Sequence, residues 1–384
     1  MPEAFKYVID AVVAIALFLA LTLVFAVDWF FFSAAGPGKN TLEGVKVTEA
    51  TRGEKKKLRL AVTQTQKSFN PKTKQEELWD DMGSLLKQLG EGFKEFDLVT
   101  DQDILQKKKK LSDYDVLFLT CAAGGEQLNN ELRDFVSNGG ILYASDWRYN
   151  AVASAFPDMV GGRAPDAGAN QQMTADVVDA SLRDVIGGTI HLNFDMPEWK
   201  TAAFGGPRVK TLIKGKYKRD KSTQFAEAPL MVSFRFNKGT VMFTSFHNEK
   251  QNSRTEKELL RYLVFSLVTA DIDAEIADKM DQGGFTPQRS NLLSTPPKNQ
   301  STPPKTYENP HKSTLRFVLG FRDDGTKLRF NIKSPGGQQY TWEGMSTVIL
   351  EVPNAEPGPW SYTVTALELP NAEFAFRVAV GERK

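Results

Sequence analysis

From Leu58 onward the hydrophobic positions alternate between two periods. "LRLAVTQ" (58–64), "FDLVT" (96–100), "YDVLFLTCA" (114–122) and "ILYAS" (141–145) are apolar runs of strand length. Between them, Leu78, Met82, Leu85, Leu86 and Leu89, and then Leu128, Leu132, Phe135 and Val136, recur at the three- and four-residue spacing of a helix face. Asn138-Gly139-Gly140 ends the second helix as a cap and turn. Buried strands alternating with helices predict a parallel sheet covered on both faces, with working residues just beyond the carboxyl ends of its strands. Gly161–Ala180 reads as a loop. Strand patterns resume at "GTIHLNFD", "RVKTLIKGKY", "APLMVSFRF" and "GTVMFTSF", and Leu259, Leu260, Leu263, Val264, Leu267 and Val268 mark a closing helix. This α/β domain covers residues 58–272.

Residues 273–313 are rich in Pro, Ser and Thr and repeat "STPPK", which predicts an extended spacer. Strict alternation follows in 314–384: Leu328, Phe330 and Ile332 share a face, as do Val348, Leu350 and Val352, then Trp360, Tyr362 and Val364, then Phe374, Phe376, Val378 and Val380. Separated by Asp-Gly and Pro-Gly turns, these predict a small antiparallel β-sandwich. At the other end, Ala11–Val27 is uninterrupted by charge and is followed by Asp28-Trp29-Phe30-Phe31-Phe32. With its flanking aromatics it reaches the roughly 20 residues needed to span a bilayer. It predicts a single-pass anchor over 1–32, in contact with lipid through residues 8–32, and a juxtamembrane linker over 33–57.

Composition narrows the function. The 48 Lys and Arg nearly cancel the 47 Asp and Glu, leaving +1, so no global field favours a nucleic acid. The single cysteine, Cys121, excludes an internal disulfide and leaves no expectation of a Cys-based zinc cluster. No cofactor motif is present. Lys39, Lys46, Arg52 and Lys55–Lys57 follow the apolar run and only Lys6 precedes it, which favours a cytoplasmic main body.

The chemistry-bearing motif is "FTSFHNEKQ", which sets His247 and Glu249 at the end of an apolar run in a chain with three histidines. Together with "YDVLFLTCAAGGEQLNNELRDFVSNGGILYASD" and the closing helix, it resembles the class I glutamine amidotransferase-like superfamily over about 215 residues. That resemblance implies a flavodoxin-like fold, a nucleophile at a strand-to-helix elbow, a histidine base and a carboxylate that orients it. His247 and Glu249 match the last two roles. The elbow falls at Ser145, where an amidotransferase would carry cysteine, and Cys121 ends the preceding strand at what reads as a different mouth of the sheet. Tyr143 and Trp147 stand where such an elbow has small residues. Asp146 and Trp147 are candidate ligand-binding residues, and Gly124 and Gly125 form a turn able to present N–H groups. No metal site is expected: His191 has no second ligand nearby in sequence, and His311 lies in the spacer.

"SPGGQQY" and "VPNAEPGPWSYTVTALELPNAEFAFRVAV" resemble pre-peptidase C-terminal appendage sandwiches, which implies an accessory module of a commonly exported kind. Two functions stay open. One is a membrane-anchored, catalytically inactive scaffold or binding component of a larger membrane assembly, with partner proteins or a second copy of itself. The other is a serine hydrolase in which Ser145 attacks an amide or ester, His247 is the base, Glu249 orients it and the Asp146 N–H helps bind the oxyanion.

Overall fold

Apolar runs that are buried at every position form the centre of the fold: β1 (Leu60–Thr63), β3 (Val116–Leu119) and β4 (Ile141–Ser145), with β2 (Phe96–Val99) beside them at an edge. The computed structural model describes residues 42, 44–49, 59–64, 66–70, 74–88, 95–162, 164–248, 251, 258–259, 262–264, 266, 269–321, 325–369 and 375–383. Later strands are β5 (Gln171–Val177), β6 (Thr189–Phe194), β7 (Val209–Lys218), β8 (Phe225–Phe236) and β9 (Gly239–Thr244). Their order across one nine-stranded sheet is β6-β5-β7-β8-β9-β4-β3-β1-β2. Strands β9, β4, β3, β1 and β2 run parallel, and β5 to β8 extend the sheet antiparallel from β9.

Alternation along the central strands explains why they read as continuous apolar runs. Leu60, Val62, Val116, Phe118, Ile141 and Tyr143 join one core with α1 (Met82–Gln88) and with Leu259 and Leu263. Ala61, Leu117, Leu119, Leu142 and Ala144 join the opposite core with α2 (Asp101–Leu105), α3 (Asn129–Ser137) and α4 (Tyr149–Ala155). Both faces are thus dry, and a polar side chain fits only at the strand ends. Leu259, Leu263 and Val264 are buried as the closing-helix pattern predicts, while Leu260, Leu267 and Val268 lie outside the described residues.

The stretch predicted as a loop, Gly161–Ala180, contains β5. It is held on both sides, by β6 and by β7. Only Ala175 and Val177 of its seven residues are buried, so its apolar signal is too thin to read as a strand.

Tight backbone approach closes the β8–β9 hairpin. A Cβ on Gly239 would stand 2.2 Å from the Val136 carbonyl oxygen and 2.3 Å from that of Gly140. Backbone atoms at both contacts cannot rotate aside. Gly239→Ala is therefore expected to lower stability by about 1–3 kcal/mol through overpacking, read as a fall in the urea midpoint at unchanged slope.

Two antiparallel sheets follow. One orders Lys46–Glu49, Val348–Ala355, Ser313–Gly320, Ala375–Arg383 and Thr286–Ser294; the other orders Lys305–Asn309, Gly358–Glu368, Lys327–Lys333 and Gln339–Gly344. Phe317, Leu350 and Val378 of the first share one apolar cluster with Phe330, Trp342, Trp360 and Tyr362 of the second. The faces predicted from alternation are buried, except that Phe374 lies outside the described residues. Part of the segment predicted as a spacer is ordered: Thr286–Ser294 and Lys305–Asn309 complete the two sheets. Their polar composition conceals this because backbone pairing to Ala375–Arg383 and Gly358–Glu368, rather than side-chain burial, holds them. His311, placed in the spacer by the sequence, reaches the buried Glu382 at 2.5 Å.

The N-terminal expectation is corrected. No helix among the described residues is long and apolar enough to cross a membrane, so the reading of a single-pass membrane protein with a cytoplasmic main body is not upheld. The run Ala11–Val27 lies outside the described residues. Hydropathy measures composition, whereas a span requires a continuous hydrogen-bonded helix of about 20 residues. The longest uninterrupted described helix, α5 (Ala270–Gln282), has 13 residues and packs Ile272, Ile276 and Met280 onto the first antiparallel sheet.

Candidate functional site

The carboxyl ends of β3, β4 and β9 converge, because adjacent parallel strands end on the same edge of the sheet. β3 runs out through Thr120 into Cys121, β4 into Asp146, and β9 through Ser245 and Phe246 into His247. One ligand atom from each of Cys121, Asp146 and His247 lies within 4.8 Å of the others, and the residues are 0%, 1% and 2% exposed. Cys121 is therefore at the same mouth as the elbow, contrary to the sequence-based placement.

The elbow residue is Asp146 rather than Ser145. Ser145 is extended, at φ −128°, and still belongs to the strand. Asp146 has φ +47°, the left-handed conformation of a strand-to-helix elbow, which costs a non-glycine residue about 1–2 kcal/mol. The Lys200 N–H donates to Asp146 Oδ1 at 2.7 Å and pins the turn. Its other oxygen, Oδ2, is 3.7 Å from Cys121 Sγ and 3.4 Å from His247 Nε2. The ring's far nitrogen, Nδ1, is 3.1 Å from Asp195 Oδ1, which follows the end of β6. Glu249, predicted for this orienting role, lies outside the described residues.

Ser145 Oγ is wholly buried and donates to Asp80 Oδ2. The same oxygen accepts the Cys121 N–H at 3.3 Å. Asp80 and Asp195 therefore organise the site, although neither stands out in the sequence. "WDD" and "NFDM" carry no motif, and they reach the site only through folds of the chain 65 and 52 residues long.

Both glycines of the turn take left-handed backbone, and Gly125 is also closely packed. Gly124 and Gly125 have φ of +81° and +99°, and a Cβ on Gly125 would stand 2.6 Å from Arg148 Nη1. Arg148, 2% exposed, forks onto Asp101 with Nη1 and Nη2 at 2.7 and 2.9 Å and donates from Nε to the Thr120 carbonyl at 3.0 Å. Trp147 turns away from the triad toward Trp79, edge to face at 5.7 Å, with the Lys200 ammonium 5.8 Å from its ring. Its backbone N–H faces the Cys121 sulfur. In an acyl-transfer enzyme, the N–H that follows the nucleophile is an oxyanion donor.

Burial sets the protonation. It pushes the Cys121 thiol up to about 11, with the His247 ring and the Trp147 N–H opposing it. It also raises Asp146, against the pull of His247. Burial alone would lower His247, but Asp146, Asp195 and Cys121 together carry it well above the usual histidine range. Asp146 Oδ2 and Asp195 Oδ1 thus flank the ring on its two nitrogens. The cleft bordered by Asp146, Asp195, Trp199 and His247 has no space for a water molecule.

Fold and site together define a mixed α/β protein with a parallel-centred sheet, a closed acidic-histidine cluster at its carboxyl edge and two antiparallel sheets. No protein-family model matches the sequence, and no curated protein matches it significantly. Among solved structures, a cytoplasmic protein from Salmonella typhimurium is similar at 12% identity and TM-score 0.33, over 53% of this chain and 98% of that one. A glutamine amidotransferase from Thermotoga maritima is similar at 14% identity and TM-score 0.32, over 59% and 93%. A GH42 beta-galactosidase from G. stearothermophilus, in a catalytic-mutant form, is similar at 11% identity and TM-score 0.33, over 81% and 41%. At these identities and scores none assigns a family.

Proposed function

We propose that this chain is an amidotransferase-like, flavodoxin-type protein that does not hydrolyse amides and serves as a binding or scaffold component of a larger assembly. One observation carries the reading: the elbow position belongs to Asp146, a carboxylate engaged by His247 and by the Lys200 N–H. A thiol or hydroxyl nucleophile would have to stand there to be deprotonated by the histidine and to present its product oxyanion to the following N–H. The strand order β2-β1-β3-β4-β9 agrees, being the doubly wound arrangement of flavodoxin-like sheets. The Cys121 sulfur against the Trp147 N–H further supports it, since it takes the place an oxyanion would need. The antiparallel sheets, read as an appendage sandwich, supply a second surface for a partner.

The serine-hydrolase alternative requires Ser145 to give its proton to His247, whereas its hydroxyl donates to Asp80. Purified protein is expected to release no ammonia from glutamine and to resist a serine-reactive phosphonate. Phosphonate labelling that disappears in Ser145→Ala would overturn the proposal.

A further inference from the structure

We propose that Cys121, Asp146 and His247 form a binding site for a zinc-class divalent ion. Thiolate, imidazole and carboxylate are the donors that zinc takes, and calcium or magnesium would need an all-oxygen set. The distances fit. Zinc bonds of about 2.3 Å to sulfur and about 2.0–2.1 Å to nitrogen and oxygen, opened at a tetrahedral angle, place sulfur about 3.6 Å from oxygen and nitrogen about 3.4 Å from oxygen. Cys121 Sγ and Asp146 Oδ2 are 3.7 Å apart, and His247 Nε2 and Asp146 Oδ2 are 3.4 Å apart.

A second observation points the same way. His247 Nε2 is buried, has no hydrogen-bond partner and faces the other two donors. A 3.4 Å separation is long for a hydrogen bond but natural for two ligands of one ion. The outer contacts also have the form of a metal site: Asp195 accepts from the ring's other nitrogen and Lys200 N–H holds the free oxygen of Asp146, which orients both ligands. Charge balances as well. On binding, the Cys121 thiol and the His247 Nε2–H each release a proton to solvent, His247 binds as neutral imidazole with Nδ1–H toward Asp195, and thiolate plus carboxylate neutralise the dication. Three protein donors leave a fourth position on the ion.

This inference does not depend on loss of amide hydrolysis, and its readout is metal content and spectrum. Full-length protein equilibrated with zinc and freed of excess is expected to retain one equivalent per chain. With cobalt(II) in place of zinc, a thiolate-to-cobalt charge-transfer band is expected, and Cys121 is the only residue in the chain able to give it. Cys121→Ala should abolish the band. Asp195→Asn, at a partly exposed position, should weaken affinity about 10–100-fold while leaving the ligands in place. Wild-type protein that retains no zinc, or a cobalt complex without the thiolate band, would overturn the proposal. So would a band that survives in Cys121→Ala.

Discussion

Arg148→Met should destabilise the protein by about 3–5 kcal/mol, the cost of leaving one member of a buried ion pair without the other. The guanidinium joins three segments: it forks onto Asp101 at the start of α2, donates to the Thr120 carbonyl at the end of β3, and approaches the Gly124 carbonyl at 3.5 Å. Methionine keeps the apolar length but leaves the Thr120 carbonyl without this donor and Asp101 without its cation. Asp101 is 25% exposed, so water recovers part of the loss and the lower half of the range is expected. Arg148→Lys retains charge without the fork and should fall between. Urea unfolding of Arg148→Met, Asp101→Asn and the double variant gives the coupling directly. Additive losses would show that the fork does not bind the segments together.

His247→Gln should cost a comparable amount at neutral pH, because Asp146 then carries a buried charge with no cation beside it. The pH dependence separates charge from packing. In chelator-washed wild-type protein, His247 titrates above its ordinary value. Its stabilisation is therefore complete below the unfolded pKa of about 6.5 and is lost as pH rises through the raised value. Asp146, raised by burial, acts with the same sign: stability declines as pH climbs from its unfolded value to its folded one. In the variant, acid relieves the strain by protonating Asp146, so the deficit relative to wild type should shrink from pH 7 toward pH 4. Melting curves across that range decide it. A deficit independent of pH would mean that the imidazole contributes only shape.

The sequence exposes the strands of the parallel centre, since each face of the sheet is covered and the apolar run is unbroken. β5 and the two strands in the Pro-rich segment escape it because pairing partners supply their stability. The elbow is misplaced by one residue for a similar reason. "ILYASDW" shows where burial ends but not which residue turns to positive φ, and the Lys200 N–H that holds Asp146 in that conformation is 54 residues away. Likewise, "FHNE" directs attention to Glu249, which lies outside the described residues, while the carboxylate beside His247 Nδ1 is Asp195, just past the end of β6.

The sequence alone therefore determined the alternation of strands and helices, the buried faces of the late antiparallel strands and the place of His247 just past an apolar run. These depend on periodicity, charge and hydropathy over windows of a few residues. Tertiary structure alone decided that β9 lies beside β4, and with it that Cys121, Asp146 and His247 meet while Ser145 turns to Asp80. Such contacts follow from strand order and from which carboxyl ends share an edge, and no local pattern of residues encodes either.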